Sequence, residues 1–192
     1  DQEPGSYNFV YVQVKQATAV QLLAASLDKH SDIYTEEEMT GGSSNADYFR
    51  ISQFYMETSQ NLAKYQALSL AGEDVSMEFF GVYVLSLAKD STFKGILNIA
   101  DTVTSINGKT FESSAQLIEY VSGLELGSDV TVGYESLGEK LSAEGQIIKL
   151  DNGKNGIGIG LVDHTEVKTD VPIEFQTENI GGPSAGLMFT LA

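Results

Sequence analysis

The sequence has no cysteine and no tryptophan, and only three prolines and two histidines in 192 residues. Without cysteine there is no disulfide, no thiolate nucleophile and no Cys-ligated zinc. His30 and His164 have no companion at metal-ligand spacing, so neither a metal nor a cofactor is expected. Basic residues are scarce too: 11 against 27 acidic, a net charge of −16. That balance argues against nucleic acid and against anionic lipid headgroups as partners. It would steer a cationic peptide, in a way that salt weakens. No apolar run approaches the ~20 residues of a membrane-spanning helix, and no basic-then-apolar leader opens the chain. Asp1-Gln2-Glu3-Pro4-Gly5 reads as the start of a mature ectodomain or a trimmed piece.

What the chain does have is enough apolar content, 42%, to fill one large core or two small ones. Tyr7 to Lys15, rich in β-branched and aromatic residues, predicts a strand. Val20, Leu23 and Leu27 lie at helical spacing within a helix over Ala17 to His30, with His30 as a helix-end residue. After an acidic and Gly/Ser-rich loop, Asn45 caps a long helix that runs to Gly72. Its Tyr48, Ile51, Tyr55, Leu62 and Tyr65 recur at three- and four-residue steps, as a packing face or as a peptide-contacting tyrosine stripe.

From about Ser76 the pattern changes to short strands and one short helix. Met77 to Leu87 predicts strand, glycine break and strand, and Asn107-Gly108 is the dipeptide of a tight type I′ hairpin. Ser113-x-x-Gln116 is a capping box for a helix carrying Leu117, Ile118, Val121 and Leu124 on one side. Asp129 to Tyr134 and Gln146 to Leu150 complete the strands. Asp151 to Gly156 reads as a hinge-like loop, and Ile157 to Val162 and Val171 to Phe175 as strands. The alternating glycines of the first suggest close approach of another backbone. His164 reads as an exposed turn residue, and Lys168 as part of a solvated loop.

The densest chemical signal is Gly181-Gly182-Pro183-Ser184-Ala185-Gly186, followed by apolar Leu187-Met188-Phe189. A small-residue turn opening onto a helical run places free N–H groups and the positive dipole end beside Ser184. Two readings fit: a nucleophile served by an oxyanion site, or a serine that N-caps a terminal helix. A P-loop is excluded because no lysine precedes the hydroxyl residue at its end. An α/β-hydrolase elbow is excluded because no acid and histidine follow the serine.

Glu178-Asn179-Ile180-Gly181-Gly182-Pro183-Ser184-Ala185-Gly186-Leu187-Met188-Phe189 resembles the catalytic-serine segment of Lon-type (S16-type) serine proteases, and most of all the PDZ-containing surface branch, the SepM/YlbL family. Residues 76 to 150 resemble a permuted bacterial-type PDZ domain, through Phe80-Gly81-Val82-Tyr83-Val84 and Asp101-x-Val103-x-x-Ile106-Asn107-Gly108-Lys109. Ala100 departs from the family, which has glycine before that aspartate. The resemblance implies an α+β chain: an N-terminal strand and two helices over residues 1–75, the PDZ domain over 76–150, and over 151–192 the first part of a Lon-like α/β proteolytic domain.

It also implies the roles. Ser184 is the nucleophile of a Ser-Lys dyad, with Gly181, Gly182, Pro183 and Ala185 as the oxyanion and substrate loop. Phe80, Gly81, Val82, Tyr83 and Val84 form the carboxylate-binding loop and edge strand of a peptide groove, with Leu117 and Val121 either lining it or filling the core. Glu178 either orients the serine loop or is a solvated carboxylate. The expected partner is a peptide or unfolded segment, such as a secreted competence or quorum-sensing peptide. The expected place is the cell surface, held by a membrane anchor outside this chain. In the resembled family the lysine lies well beyond the serine, whereas every lysine here precedes Ser184, so the resemblance implies that these residues alone do not hydrolyse peptides. The rival expectation is a non-catalytic PDZ ectodomain that binds peptides or acts as a scaffold.

Overall fold

The computed structural model describes residues 12–40, 43–177, 180–182 and 189–190. The expected strand over Tyr7 to Lys15 falls mostly outside them, and residues 12–18 carry no regular structure. Helix α1 spans only Ala19–Ala25, with Thr18 and Gln21 forming a reciprocal capping box. It is shorter than the apolar spacing predicts because none of its residues is buried, and a capped turn without a packing partner has little to extend it. His30 lies beyond it, exposed. A short α2 covers Glu36–Thr40.

The long helix α3 spans Asn45–Ala71, with the cap one residue earlier than expected, at Ser44, whose hydroxyl accepts the Asp47 N–H at 3.1 Å. At its end Gly72 is left-handed (φ 79°), and the Glu73 N–H reaches the Leu68 carbonyl at 3.0 Å, a Schellman closure. The buried positions are Met56, Ala63 and Leu68, whereas Tyr55 and Leu62 of the tyrosine stripe are exposed. Tyr48, Ile51 and Tyr65 are half-buried, so the stripe coincides with the packing face only in part. Polar anchors set the roll instead: Thr58 Oγ1 donates to the Asp163 carbonyl at 3.1 Å and Asn61 Nδ2 to the Thr165 carbonyl at 2.6 Å.

Seven strands follow among the described residues: β1 (Val75–Leu87), β2 (Thr102–Ile106), β3 (Asp129–Ser136), β4 (Glu139–Gln146), β5 (Ile148–Lys149), β6 (Asn155–Gly156) and β7 (Ile159–Thr169), with α4 (Ser114–Ser122) between β2 and β3. Five form one antiparallel sheet in the order β4-β3-β2-β1-β7, and β5 pairs with β6. The expected break at Gly81 is a register shift inside one continuous strand. Asn107 (φ 53°) and Gly108 (φ 74°) make the tight hairpin, with Ile106 and Lys109 exchanging N–H···O bonds at 3.0 and 2.9 Å. Ser113 caps α4 through the Gln116 N–H. Strand β4 escapes the sequence pattern because Leu137 stands where a tight hairpin usually has Asn, Asp or Gly before Gly138, and its face is mostly polar; both turn residues sit at positive φ.

Two further expectations are corrected. Val171 to Phe175 is not a strand, and Lys168 belongs to β7 rather than to a loop. Ala100 takes φ 84°, a conformation glycine adopts without strain, which explains the family's usual residue there. The core gathers Val82 and Val84 of β1, Val103 and Ile106 of β2, Val130 and Val132 of β3, with Phe93, Leu97, Ile147 and Ile157 from the connections. The sheet that begins at Val75 thus ends on a strand well past residue 150.

Candidate peptide groove and serine turn

Strand β1 is pressed onto its neighbour at Gly81. With φ 147° there, a Cβ would stand 2.1 Å from the Val103 carbonyl oxygen, so only glycine fits this approach. Val82 and Val84 then point into the core, both 0% exposed. On the opposite face Tyr83 lies between two rings, stacked on Phe54 of α3 at 4.0 Å and on His164 of β7 at 4.1 Å. Phe80 stays exposed, 5.6 Å from the His164 ring.

This aromatic stack carries three perturbed groups. The Tyr83 hydroxyl donates to Glu57 Oε1 at 3.4 Å, and burial, then the Glu57 charge, pushes the phenol well above its ordinary value. Burial raises Glu57 as well, against the opposing pull of the Tyr83 bond. His164 is half-buried, its Nδ1 3.0 Å from Thr102 Oγ1, and burial lowers its pKa below the usual 6.5 against the smaller upward pull of Glu166 and Glu135. His164 is thus a strand residue and not the exposed turn residue its sequence context predicts. The β-branched residues Val162, Thr165, Val167 and Thr169 around it are the sequence signal that could have marked a strand.

The folded His164 holds its proton less tightly than the unfolded one, so its contribution is present above about pH 6.5 and is lost as pH falls from there through the lower folded value. Glu57, with a raised pKa, works in the opposite direction, losing its contribution as pH rises through its folded value. In an NMR titration the His164 Cε1–H midpoint is expected below 6.5. A His164→Gln chain should lose less stability on going from roughly pH 7.5 to 5.5 than the parent. A midpoint at or above the ordinary value would refute the buried, neutral ring.

The residues expected to form a peptide groove are brought together, but the groove is not open. Leu117 and Val121 of α4 are 3% and 4% exposed, in the same core cluster as Val82 and Val84. One edge of β1 pairs with β2; the other pairs along its length with β7, from Val75 opposite Thr169 to Leu87 opposite Ile159. Strand addition by a separate peptide needs a free edge, and β7 holds it.

Of the serine turn, Gly181 and Gly182 are described, while Glu178, Pro183, Ser184 and Ala185 lie outside the described residues. The glycines rest on α3. The Gly182 N–H donates to the Ser52 carbonyl at 2.8 Å, and a Cβ on Gly181 would come within 2.7 Å of Ser52 Cβ. Upstream, Gln60 Nε2 donates to Thr177 Oγ1 at 2.6 Å and Lys64 lies over the Phe175 ring at 5.9 Å. One helix therefore touches both the sheet and the approach to the serine. Lys168 is exposed and ion-paired with Glu78, which raises its pKa and keeps it protonated. Among the described residues there is no cluster of His, Cys, Asp or Glu suited to a metal, and no helix long and apolar enough to cross a membrane.

A strand bent at a glycine beside an apolar core helix, with the Asn-Gly hairpin and capped α4 between, is the arrangement of a peptide-binding module built on strand addition. Residues 53–147 match the family described as PDZ domain, and over this stretch the chain belongs to that family. Similar solved structures include the PDZ domain of an SdrC-like protein from Listeria monocytogenes, 32% identical, the match covering 44% of this chain and 90% of that one with a TM-score of 0.41. The PDZ domain of an SdrC-like protein from Listeria innocua is 34% identical over 44% of this chain and 96% of that one, TM-score 0.41. The second domain of a Listeria protein is 37% identical over 44% and 86%, TM-score 0.40. No curated protein matches the chain. The family match ends before the serine turn.

Proposed function

We propose that this chain is the PDZ-bearing portion of a Lon-type serine endopeptidase that works at the cell surface on secreted peptides, signalling peptides among them. The observation that carries the reading is the seating of Gly181 and Gly182 on Ser52 of α3, the helix that also docks β1 and β7. A turn seated on the helix that packs against the PDZ sheet supports presentation of a nucleophile beside that sheet.

In this reading Ser184 attacks the scissile carbonyl, and backbone N–H groups of its turn stabilise the oxyanion. The base is a lysine held unprotonated. Lys168 does not qualify, because its pairing with Glu78 favours the charged form, and the lysine of the resembled family follows the serine, whereas every lysine here precedes Ser184. The reading therefore calls for a lysine from outside these residues, and the 192 residues by themselves are expected to be inactive. The net charge of −16 favours cationic substrates. Membrane anchoring, in the same reading, comes from outside this chain.

A second reading, a non-catalytic PDZ scaffold, is favoured by the pairing of Lys168 with Glu78. The two separate in the natural protein that contains this sequence. Cleavage of an unstructured cationic peptide, followed by mass spectrometry, is expected to fall to background on Ser184→Ala. Undiminished turnover in that variant would sink the dyad reading, and absence of turnover in both forms leaves the scaffold.

A further inference from the structure

Both edges of β1 are engaged, and the second edge is engaged in the manner of a ligand. The Val84 N–H and C=O bond to the β2 side, to the Asp101 carbonyl at 2.9 Å and from the Ala100 N–H at 3.0 Å. Neighbouring residues such as Tyr83 consequently direct their N–H and C=O groups to the opposite edge. There β7 runs antiparallel to β1, from Ile159 opposite Leu87 to His164 opposite Gly81. That is the direction of a captured peptide whose C-terminal end approaches the Phe80-Gly81 loop.

The residues leading into β7 come from the helix side of the groove. Asn155 Nδ2 donates to the Leu124 carbonyl just past α4 at 2.9 Å, and Ile157, 3% exposed, shares the core with Leu117 and Val121. The Ile157 carbonyl accepts from Ser91 Oγ at 2.7 Å and the Gly158 carbonyl from the Ala88 N–H at 2.8 Å. The side chains alternate as those of a strand-addition ligand do. Ile157, Ile159 and Leu161 face or pack against the core, while Gly158 and Gly160 lie where a Cβ would stand 2.8 Å from Ser91 Cβ and 2.3 Å from Ser86 Oγ.

We infer that residues 155–164 are a tethered ligand of the PDZ groove, which an external peptide of the same alternating apolar and glycine pattern enters only by displacing them. The inference rests on the PDZ fold and the strand ladder, not on the peptidase reading, and none of its readouts is hydrolysis. Tethering gives the internal segment an effective concentration on the order of millimolar or more, so a peptide of ordinary affinity competes poorly with it. Because β7 leads on to Gly181, exchange in the groove would also shift the strand that delivers the serine turn.

The absence of cysteine allows a clean test. A Cβ on Gly160 would lie 3.5 Å from Ser86 Cβ, within the range of a disulfide, so the Ser86→Cys/Gly160→Cys chain should crosslink on oxidation and lock β7 to β1. Ile159→Asp and Leu161→Asp, made singly, should loosen β7, with folding monitored by amide exchange at Val130 and Val132. The probe is a fluorescent peptide carrying the sequence of residues 155–164 with a free C-terminus. We expect no binding to the oxidised form, and at least tenfold tighter binding to a loosened variant than to the parent. Equal binding by locked and loosened chains would overturn the inference, as would no binding by a loosened variant that keeps Val130 and Val132 protected. Failure to crosslink would contradict the strand pairing itself. Global unfolding of both aspartate variants would make β7 an integral core strand and would also reject the tethered-ligand reading.

Discussion

Gly81→Ala is expected to destabilise the chain by about 3–5 kcal/mol, from overpacking against backbone added to an unfavourable φ. The new Cβ would stand 2.1 Å from the Val103 carbonyl oxygen and 3.0 Å from its carbon, atoms fixed by the ladder and unable to swing aside as a side-chain tip can. Relief requires β1 to lift from β2 where Val82 and Val103, both 0% exposed, close the core. The fall in melting temperature should be roughly 10 °C for a chain of this size. A urea midpoint within error of the parent would show that the close approach does not exist. Because Gly81 also shapes the Phe80-Gly81 loop, the variant should bind the groove peptide less well even when β7 is loosened.

Phe93→Ala should cost about 3–5 kcal/mol through the cavity left by a fully buried ring, whereas Phe93→Leu should cost about 1 kcal/mol. Phe93 is 0% exposed although it sits in the connection between β1 and β2. Its ring reaches across to β4, where a Cβ on Gly145 would meet Phe93 Cζ at 2.5 Å. Gly145 is therefore small to make room for the ring and for the Thr92 hydroxyl, and positions 93 and 145 should be coupled. Gly145→Ala is expected to destabilise the parent and to cost less in the Phe93→Ala chain, where only the contact with Thr92 Oγ1, also at 2.5 Å, remains. Additive losses in the double variant, measured by denaturant unfolding, would refute that contact.

Local chemistry was legible wherever one or two residues impose a backbone conformation. Asn107-Gly108 forms its hairpin because both residues accept positive φ, and Ser113 with Gln116, and Gly72 after α3, stop and start helices through bonds made within one turn. The resemblance of Phe80 to Val84 and Asp101 to Lys109 to a PDZ domain agrees with the family match over 53–147. Legibility failed where the partner lies far away in sequence. The buried face of α3 was set by Thr58 and Asn61 bonding to β7 carbonyls, contacts spanning more than 100 residues that no helical periodicity encodes. His164 looked like a turn residue because its stacking partner, Tyr83, lies on another strand.

Composition alone removed disulfides and thiolate chemistry and made nucleic acid an unfavourable partner, and short-range motifs marked the turns, caps and the small-residue serine segment. Those properties belong to single residues or to neighbours in the chain, whose energetics need no tertiary partner. Only the folded chain decided that β7 takes the free edge of β1, that Leu117 and Val121 face the core, and that Gly181 and Gly182 sit on Ser52. Strand pairing and burial depend on which distant segments can satisfy each other's N–H and C=O groups and exclude water together. That is a property of the whole arrangement and not of any window of sequence.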